Sequence, residues 1–129
     1  MKTKTIKQSV FIRASPQEVY ESLADSRKHS MLIGEPARVS RKVGGKFSVF
    51  GRYATGKNLK LVRYRRIVQT WRASDWPRGH FSTVSFELKR APGGTKLTFV
   101  QKNVPEEFFK DISQGWKEFY WANMKAMLE

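Results

Sequence analysis

The chain has no cysteine among its 129 residues, which excludes a disulfide framework, thiol catalysis and any thiolate metal site. Histidine is nearly as scarce. His29 and His80 are the only two, and neither belongs to a ligand spacing such as H-x-x-x-H, so no metal centre is expected. No apolar run approaches the ~18 residues of a membrane-spanning helix, and Met1 to Lys7 leads into no signal-peptide core. A G-x-S-x-G serine elbow is missing, and Gly44-Gly-Lys46 lacks the spacing and the following Ser/Thr of a phosphate loop. Glu106-Glu107 reads as the acidic first turn of a helix, not as a hydrolytic carboxylate pair. An enzyme is therefore the least supported class, with no catalytic residue and no cofactor expected. These absences predict one cytoplasmic domain covering residues 1–129.

Acidic residues are few as well: 11 Asp+Glu stand against 25 Lys+Arg, a formal charge of +14. The imbalance is local. Residues 1–66 hold 16 bases and 4 acids, whereas residues 67–129 hold 9 and 7. The densest stretch carries Arg38, Arg41, Lys42, Lys46, Arg52, Lys57, Lys60, Arg63, Arg65 and Arg66 with no acid among them. Such a field attracts acidic partners and steers their approach. No helix-turn-helix, zinc-finger or RNP-type motif accompanies it, which argues against nucleic acid and for an acidic protein surface.

Aromatic residues are plentiful, with 9 Phe, 4 Trp and 4 Tyr in a chain that is 40% hydrophobic. A chain of this length typically buries roughly two-thirds of its unfolded surface, so a substantial core is expected. Thr5–Arg13 alternates and is rich in β-branched residues, as an opening strand requires. Ser15-Pro-Gln-Glu18 then carries a cap, a first-turn proline and a capping-box acid, predicting a short helix to about Asp25. A second short helix over Ser26 to Ile33 stops at Gly34 and Pro36. In it His29, beside Arg27 and Lys28, is expected to face solvent. From Ala37 to Gln101 the pattern is strand and turn, punctuated by Gly44-Gly45, Gly51, Gly56, Pro77-Arg-Gly79 and Pro92-Gly-Gly94. Short turns between neighbours predict an antiparallel meander. Pro105-Glu-Glu107 opens a final helix in which Phe108, Ile112, Trp116, Phe119, Asn123 and Met127 recur at three- and four-residue steps. Together these elements predict an α+β domain, a curved antiparallel sheet of six to seven strands wrapped around a long C-terminal helix.

The ordered motifs resemble a known family. They are Ser15-Pro-Gln-Glu-Val-Tyr20, Val43-Gly-Gly-Lys-Phe47, Ile67-Val-Gln-Thr-Trp-Arg72, Trp76-Pro-Arg-Gly-His-Phe-Ser-Thr-Val84, Gly93-Gly-Thr-Lys-Leu97, Val104-Pro-Glu-Glu107 and Gly115-Trp116 before Tyr120-Trp121. The set is similar to the domain of the activator of heat shock protein 90 ATPase in its C-terminal version, within the START-like (SRPBCC) helix-grip superfamily. That resemblance implies a helix-grip fold and two kinds of function. One is co-chaperone-like docking to heat shock protein 90, here through the basic stretch Arg38–Arg66. The other is carriage of a hydrophobic or aromatic small molecule between sheet and last helix. For that cavity the residues themselves nominate Trp71, Trp76, Phe86, Phe99, Ile112, Trp116, Phe119, Tyr120 and Asn123, with Tyr64 as a further polar contact. Gly115, in mid-helix, is expected either to admit a ligand or to allow close helix–sheet packing.

Overall fold

The computed structural model describes residues Met1–Glu129. β1 (Thr3–Ile12) runs into α1 (Pro16–Ala24) through a complete capping box. The Ser15 hydroxyl accepts from the Glu18 N–H at 3.1 Å, and the Glu18 carboxylate accepts from the Ser15 N–H at 3.2 Å. Two of the otherwise orphaned helix-start donors are thereby satisfied. Asp25 caps α2 (Ser26–Ile33) by accepting from the Lys28 N–H at 3.0 Å, and Gly34 ends it with φ 71°, a left-handed conformation that glycine adopts without penalty.

The remaining chain builds β2 (Arg38–Val39), β3 (Lys46–Val49), β4 (Ala54–Val62), β5 (Arg66–Ala73), β6 (Ser82–Ala91) and β7 (Gly94–Pro105). All pair antiparallel in one seven-stranded sheet, ordered β1-β7-β6-β5-β4-β3-β2. Register shifts at Lys4/Ile6 in β1 and Asn58/Lys60 in β4 bend the sheet, as an extra unpaired residue does. β7 runs past Gln101, where the strand-and-turn pattern was expected to end, because Val104 and Pro105 pair with Lys4 and Thr3 of β1.

A terminal helical rod lies in the concave side. It consists of a 3-10 turn (Glu106–Phe108), α3 (Phe109–Gly115), a π segment (Trp116–Trp121) and α4 (Ala122–Leu128). Two indole N–H groups dock it. Trp116 Nε1 donates to Gln101 Oε1 at 2.8 Å; Gln101 Nε2 donates to Ser82 Oγ at 3.0 Å, and Ser82 in turn donates to the Trp71 carbonyl at 2.7 Å. Trp121 Nε1 donates to Gln8 Oε1, whose amide reaches back to the Ser113 carbonyl. Gln101 is fully buried, and the indole it serves explains a polar residue there: a buried N–H without a partner costs about 1–3 kcal/mol.

The π segment corrects the expected helical stripe. After Trp116 the buried residues are Tyr120, Trp121 and Met124, not Phe119 and Asn123. One extra residue in the turn lets Trp116, Tyr120 and Trp121 pack mutually, with ring centroids 4.4 to 6.0 Å apart. A strict 3.6-residue period does not anticipate that shift.

Candidate functional site

Three surfaces stand out once the rod is docked. The first is a groove of about 400 Å3 at one end of the space between sheet and rod. Its walls are aromatic: Phe50 and Tyr53 from the β3–β4 loop, Trp71 from β5, and Trp116, Phe119 and Tyr120 from the rod. Phe50 holds φ 54°, which costs a residue bearing a Cβ of the order of 1 kcal/mol. That conformation places its ring edge-on to Phe119 and Tyr120, at 5.6 and 6.2 Å. Gly115 opens onto the groove as well. A methyl group there would meet only the Phe119 ring, at 3.9 Å. Close helix–sheet packing is therefore not the reason for this glycine. The polar groups at the mouth are Glu35 and Asp111, both exposed and in no ion pair. Burial, then the charges of Asp75 and Asp111, push the Tyr53 phenol up.

Deeper in, the space closes. Between Trp71, Phe86, Trp116, Tyr120 and Leu23 only about 10 Å3 remains, no more than a single water requires. The interior is packed with rings: Phe99 sits 4.3 Å from Trp116 and 5.3 Å from Phe86.

The second surface is the outer face of the sheet. Directly opposed residues of adjacent strands share a face, so the register assigns each side chain. Arg38, Lys46, Lys57, Lys60 and Arg66 from β2 to β5 all point outward. Arg72, Lys89, Lys96, Lys102 and Lys7 continue that face across β5, β6, β7 and β1. Glu87, opposite Arg66, is the one acid among these outward strand positions. Neither of the chain's two ion pairs, Arg41–Glu21 and Lys125–Glu129, lies on this face. Arg38, Lys46, Arg52 and Lys57 also ring a broad open hollow with the half-exposed Phe81, whose ring lies 6.0 Å from the Arg72 guanidinium.

The third surface is a smaller pocket of about 230 Å3 between α1 and the inner side of β4 and β5.

The sheet-and-rod arrangement and the sequence that builds it have counterparts in known proteins. A family model described as "Activator of Hsp90 ATPase homolog 1-like protein" matches residues 13–129, nearly the entire chain. The chain belongs to this family. Among curated relatives, the activator of 90 kDa heat shock protein ATPase homolog 2 of Mus musculus is 33% identical over 94 residues, 73% of this chain. The Dictyostelium discoideum homolog is 32% identical over 117 residues, 89% of this chain. This chain spans only 28% and 30% of those two proteins. Among solved structures, an HSP90 activator from Plasmodium falciparum superposes with a TM-score of 0.88 at 24% identity, covering 95% of this chain and 94% of that one. An Aha1 from Colwellia psychrerythraea gives 0.84 at 21% identity, covering 98% and 96%. Both likenesses concern the fold.

Within this family member the cavity candidates divide. Trp71, Ile112, Trp116, Phe119 and Tyr120 do meet around the groove, with Phe119 46% exposed at its rim. Phe86 and Phe99 belong to the packed interior, and Trp76 packs beyond Trp71 against His80 and Phe108. Asn123 turns away and donates to the Phe119 carbonyl at 3.1 Å. Tyr64 lies elsewhere, edge-on to Tyr20 at 5.6 Å. Glu35, Phe50 and Tyr53 are groove residues that periodicity did not reveal, because loop positions carry no period, and Asp111 joins them from α3, beside Ile112. The basic stretch divides too: Arg41, Lys42, Arg52, Arg63 and Arg65 sit in loops rather than on strands.

His29 overturns its expected exposure. It is 6% exposed, with Nδ1 2.9 Å from the Leu23 carbonyl and Nε2 2.7 Å from the Tyr120 hydroxyl. Since a carbonyl only accepts, Nδ1 carries the proton and Nε2 accepts from Tyr120. Burial lowers the His29 pKa, opposed in part by the Leu23 carbonyl, and burial also raises that of Tyr120. The pair is neutral and ties α2 to the rod. His80 is satisfied by the Asn103 carbonyl at 2.8 Å. No group of three or more His, Cys, Asp or Glu residues is placed to hold a metal, and no helix is long and apolar enough to cross a membrane.

Proposed function

We propose that the chain is a non-enzymatic, co-chaperone-like binding domain that docks on an acidic protein surface through the outer face of its sheet. Heat shock protein 90 is the partner proposed, since the mouse and Dictyostelium relatives are named as activators of its ATPase. The observation that carries the reading is the outer face itself, where Lys and Arg stand on every strand and Glu87 is the sole opposing charge. Holding like charges this close without partners costs self-repulsion. A counter-charged partner relieves it. Docking of this kind weakens as salt shortens the Debye length from ~10 Å at 0.1 M to ~3 Å at 1 M. Titrating the labelled chain with the chaperone at both ionic strengths tests it. Binding at low salt that fades at high salt is expected; no binding at either salt refutes the partner.

A second reading is favoured by the groove: carriage of a small molecule with an apolar or aromatic body. Six aromatic side chains and an uncovered Gly115 shape a space within the ~300–1,000 Å3 range of small-molecule sites. Glu35 and Asp111 at its mouth select a positively charged head, which the ring faces also attract. A thermal-shift series of aromatic amines against their neutral analogues tests this, with an upshift expected for the amines alone. Equal shifts for both, or none, refute it.

A further inference from the structure

The pocket between α1 and the sheet has a character opposite to that of the groove. Its floor is apolar, with Leu23 and Ala24 from α1, Leu61 from β4 and Ile67 from β5. Its rim is cationic, with Arg41 on one side and Arg63 on the other, and the Tyr20 side chain completes the lining. At the inner end two buried amides stand together. Gln69 Nε2 donates to Asn58 Oδ1 at 2.9 Å, and Asn58 Nδ2 donates to the Ser40 and Lys42 carbonyls at 2.7 and 3.0 Å. Asn58 is 1% exposed and Gln69 8%, so both polar groups sit inside the fold beside this space.

The rim is held in place. Tyr64 adopts φ 62°, a left-handed conformation that a bulky side chain reaches only under constraint. From there its ring packs edge-on to Tyr20 at 5.6 Å, and the Arg63 guanidinium lies over it at 4.8 Å. One strained residue thus fixes two of the rim groups. Arg41 is steadied by Glu21 at 2.7 Å, a contact that takes one edge of its guanidinium and leaves other N–H groups free. Arg63 has no carboxylate within ion-pair distance. The Tyr20 phenol is pushed up by burial and drawn back by Arg41 and Arg63, so both cations act at its oxygen.

We infer that this pocket is a binding site for a small amphipathic carboxylate, one negative group on a short apolar chain or ring. The charges set the valence: Arg41 is paired with Glu21 and also feels Asp25, which leaves Arg63 as the rim guanidinium without a carboxylate, a single positive charge matched by a monoanion. A phosphate dianion would face Glu21 with a charge unmet. The volume, below the range of drug-sized sites, limits the tail to a few carbons. Arginine suits the head group, since its planar fork meets a carboxylate through two parallel hydrogen bonds. Neither the docking face nor the groove is required for this site.

The test is an amide NMR titration of the full chain with hexanoate, benzoate, hexanol and inorganic phosphate, on the native protein and on Arg63→Gln. Hexanoate or benzoate should give saturable shifts at Tyr20, Val39, Ser40 and Leu61, with hexanol and phosphate giving no saturable shift there. Arg63 is exposed and outside the core, so Arg63→Gln should keep the native spectrum while weakening carboxylate binding about tenfold. Shifts confined to the Phe50–Trp71 groove, unsaturating shifts spread over all basic residues, or an affinity unchanged in Arg63→Gln would each overturn the assignment. Phosphate saturating the same amides as tightly as the carboxylates would overturn it too.

Discussion

Replacing Gly115 by alanine separates two explanations for a glycine in the middle of the docked rod. Gly115 has helical backbone angles, φ −59° and ψ −40°, so alanine fits there without strain. Glycine in a helix interior costs ~0.8–1.0 kcal/mol against alanine. The new methyl meets only the Phe119 ring at 3.9 Å, an ordinary contact, so no clash offsets the gain. Gly115→Ala should therefore stabilise the chain by about 0.5–1 kcal/mol, a few degrees in Tm for a chain of this size. Urea unfolding followed by tryptophan fluorescence reads this directly. The midpoint should rise with the slope unchanged, since the surface exposed on unfolding is the same. The same methyl narrows the groove, so any thermal upshift given by an aromatic amine should shrink in the variant. A destabilised Gly115→Ala would mean that the backbone there is needed for packing, and would refute the claim that the glycine keeps the groove open.

Gln101→Leu should destabilise by about 1–3 kcal/mol, because the buried Trp116 N–H loses its acceptor. In the Gln101→Leu/Trp116→Phe double variant, chemical denaturation should show part of that cost recovered. Below the ordinary histidine pKa of 6.5 the unfolded chain binds a proton that buried His29 resists. Stability is thus full above that pH and is lost as the pH falls through it, by at most about 1.4 kcal/mol per pH unit from this one group. Denaturation at a series of pH values between 5 and 8 checks this, and His29→Gln should flatten the slope. Lys46→Glu with Lys57→Glu should abolish salt-sensitive chaperone binding while leaving Tm within about 1 °C, as both side chains are exposed and unpaired.

Much of the architecture is legible in local chemistry. The Ser15–Glu18 capping box, the Asp25 cap and the Gly34 stop mark α1 and α2 because each satisfies backbone groups within a few residues of itself. Alternation of Val84, Phe86 and Leu88 and of Leu97 and Phe99 marks the inner face because successive side chains of a strand point to opposite sides. The site is less legible where distant residues decide it. His29 looks like a polar helix residue until Tyr120, 91 positions away, supplies its partner. Trp121 stands in for Phe119 on the inner stripe because the aromatic cluster stabilises a π turn that no local rule signals. Five of the clustered basic residues share the outer face, whereas Lys7, Arg72, Lys89, Lys96 and Lys102 join it only through strand register.

The most direct test of the docking surface is to record amide spectra of isotope-labelled chain as unlabelled heat shock protein 90 is added at low salt. Selective broadening at Lys46, Lys57, Arg66, Arg72 and Lys102, on the side of the sheet away from the rod, is the predicted result. Broadening confined to α1, α2 and the rod, with those strand positions untouched, would contradict it.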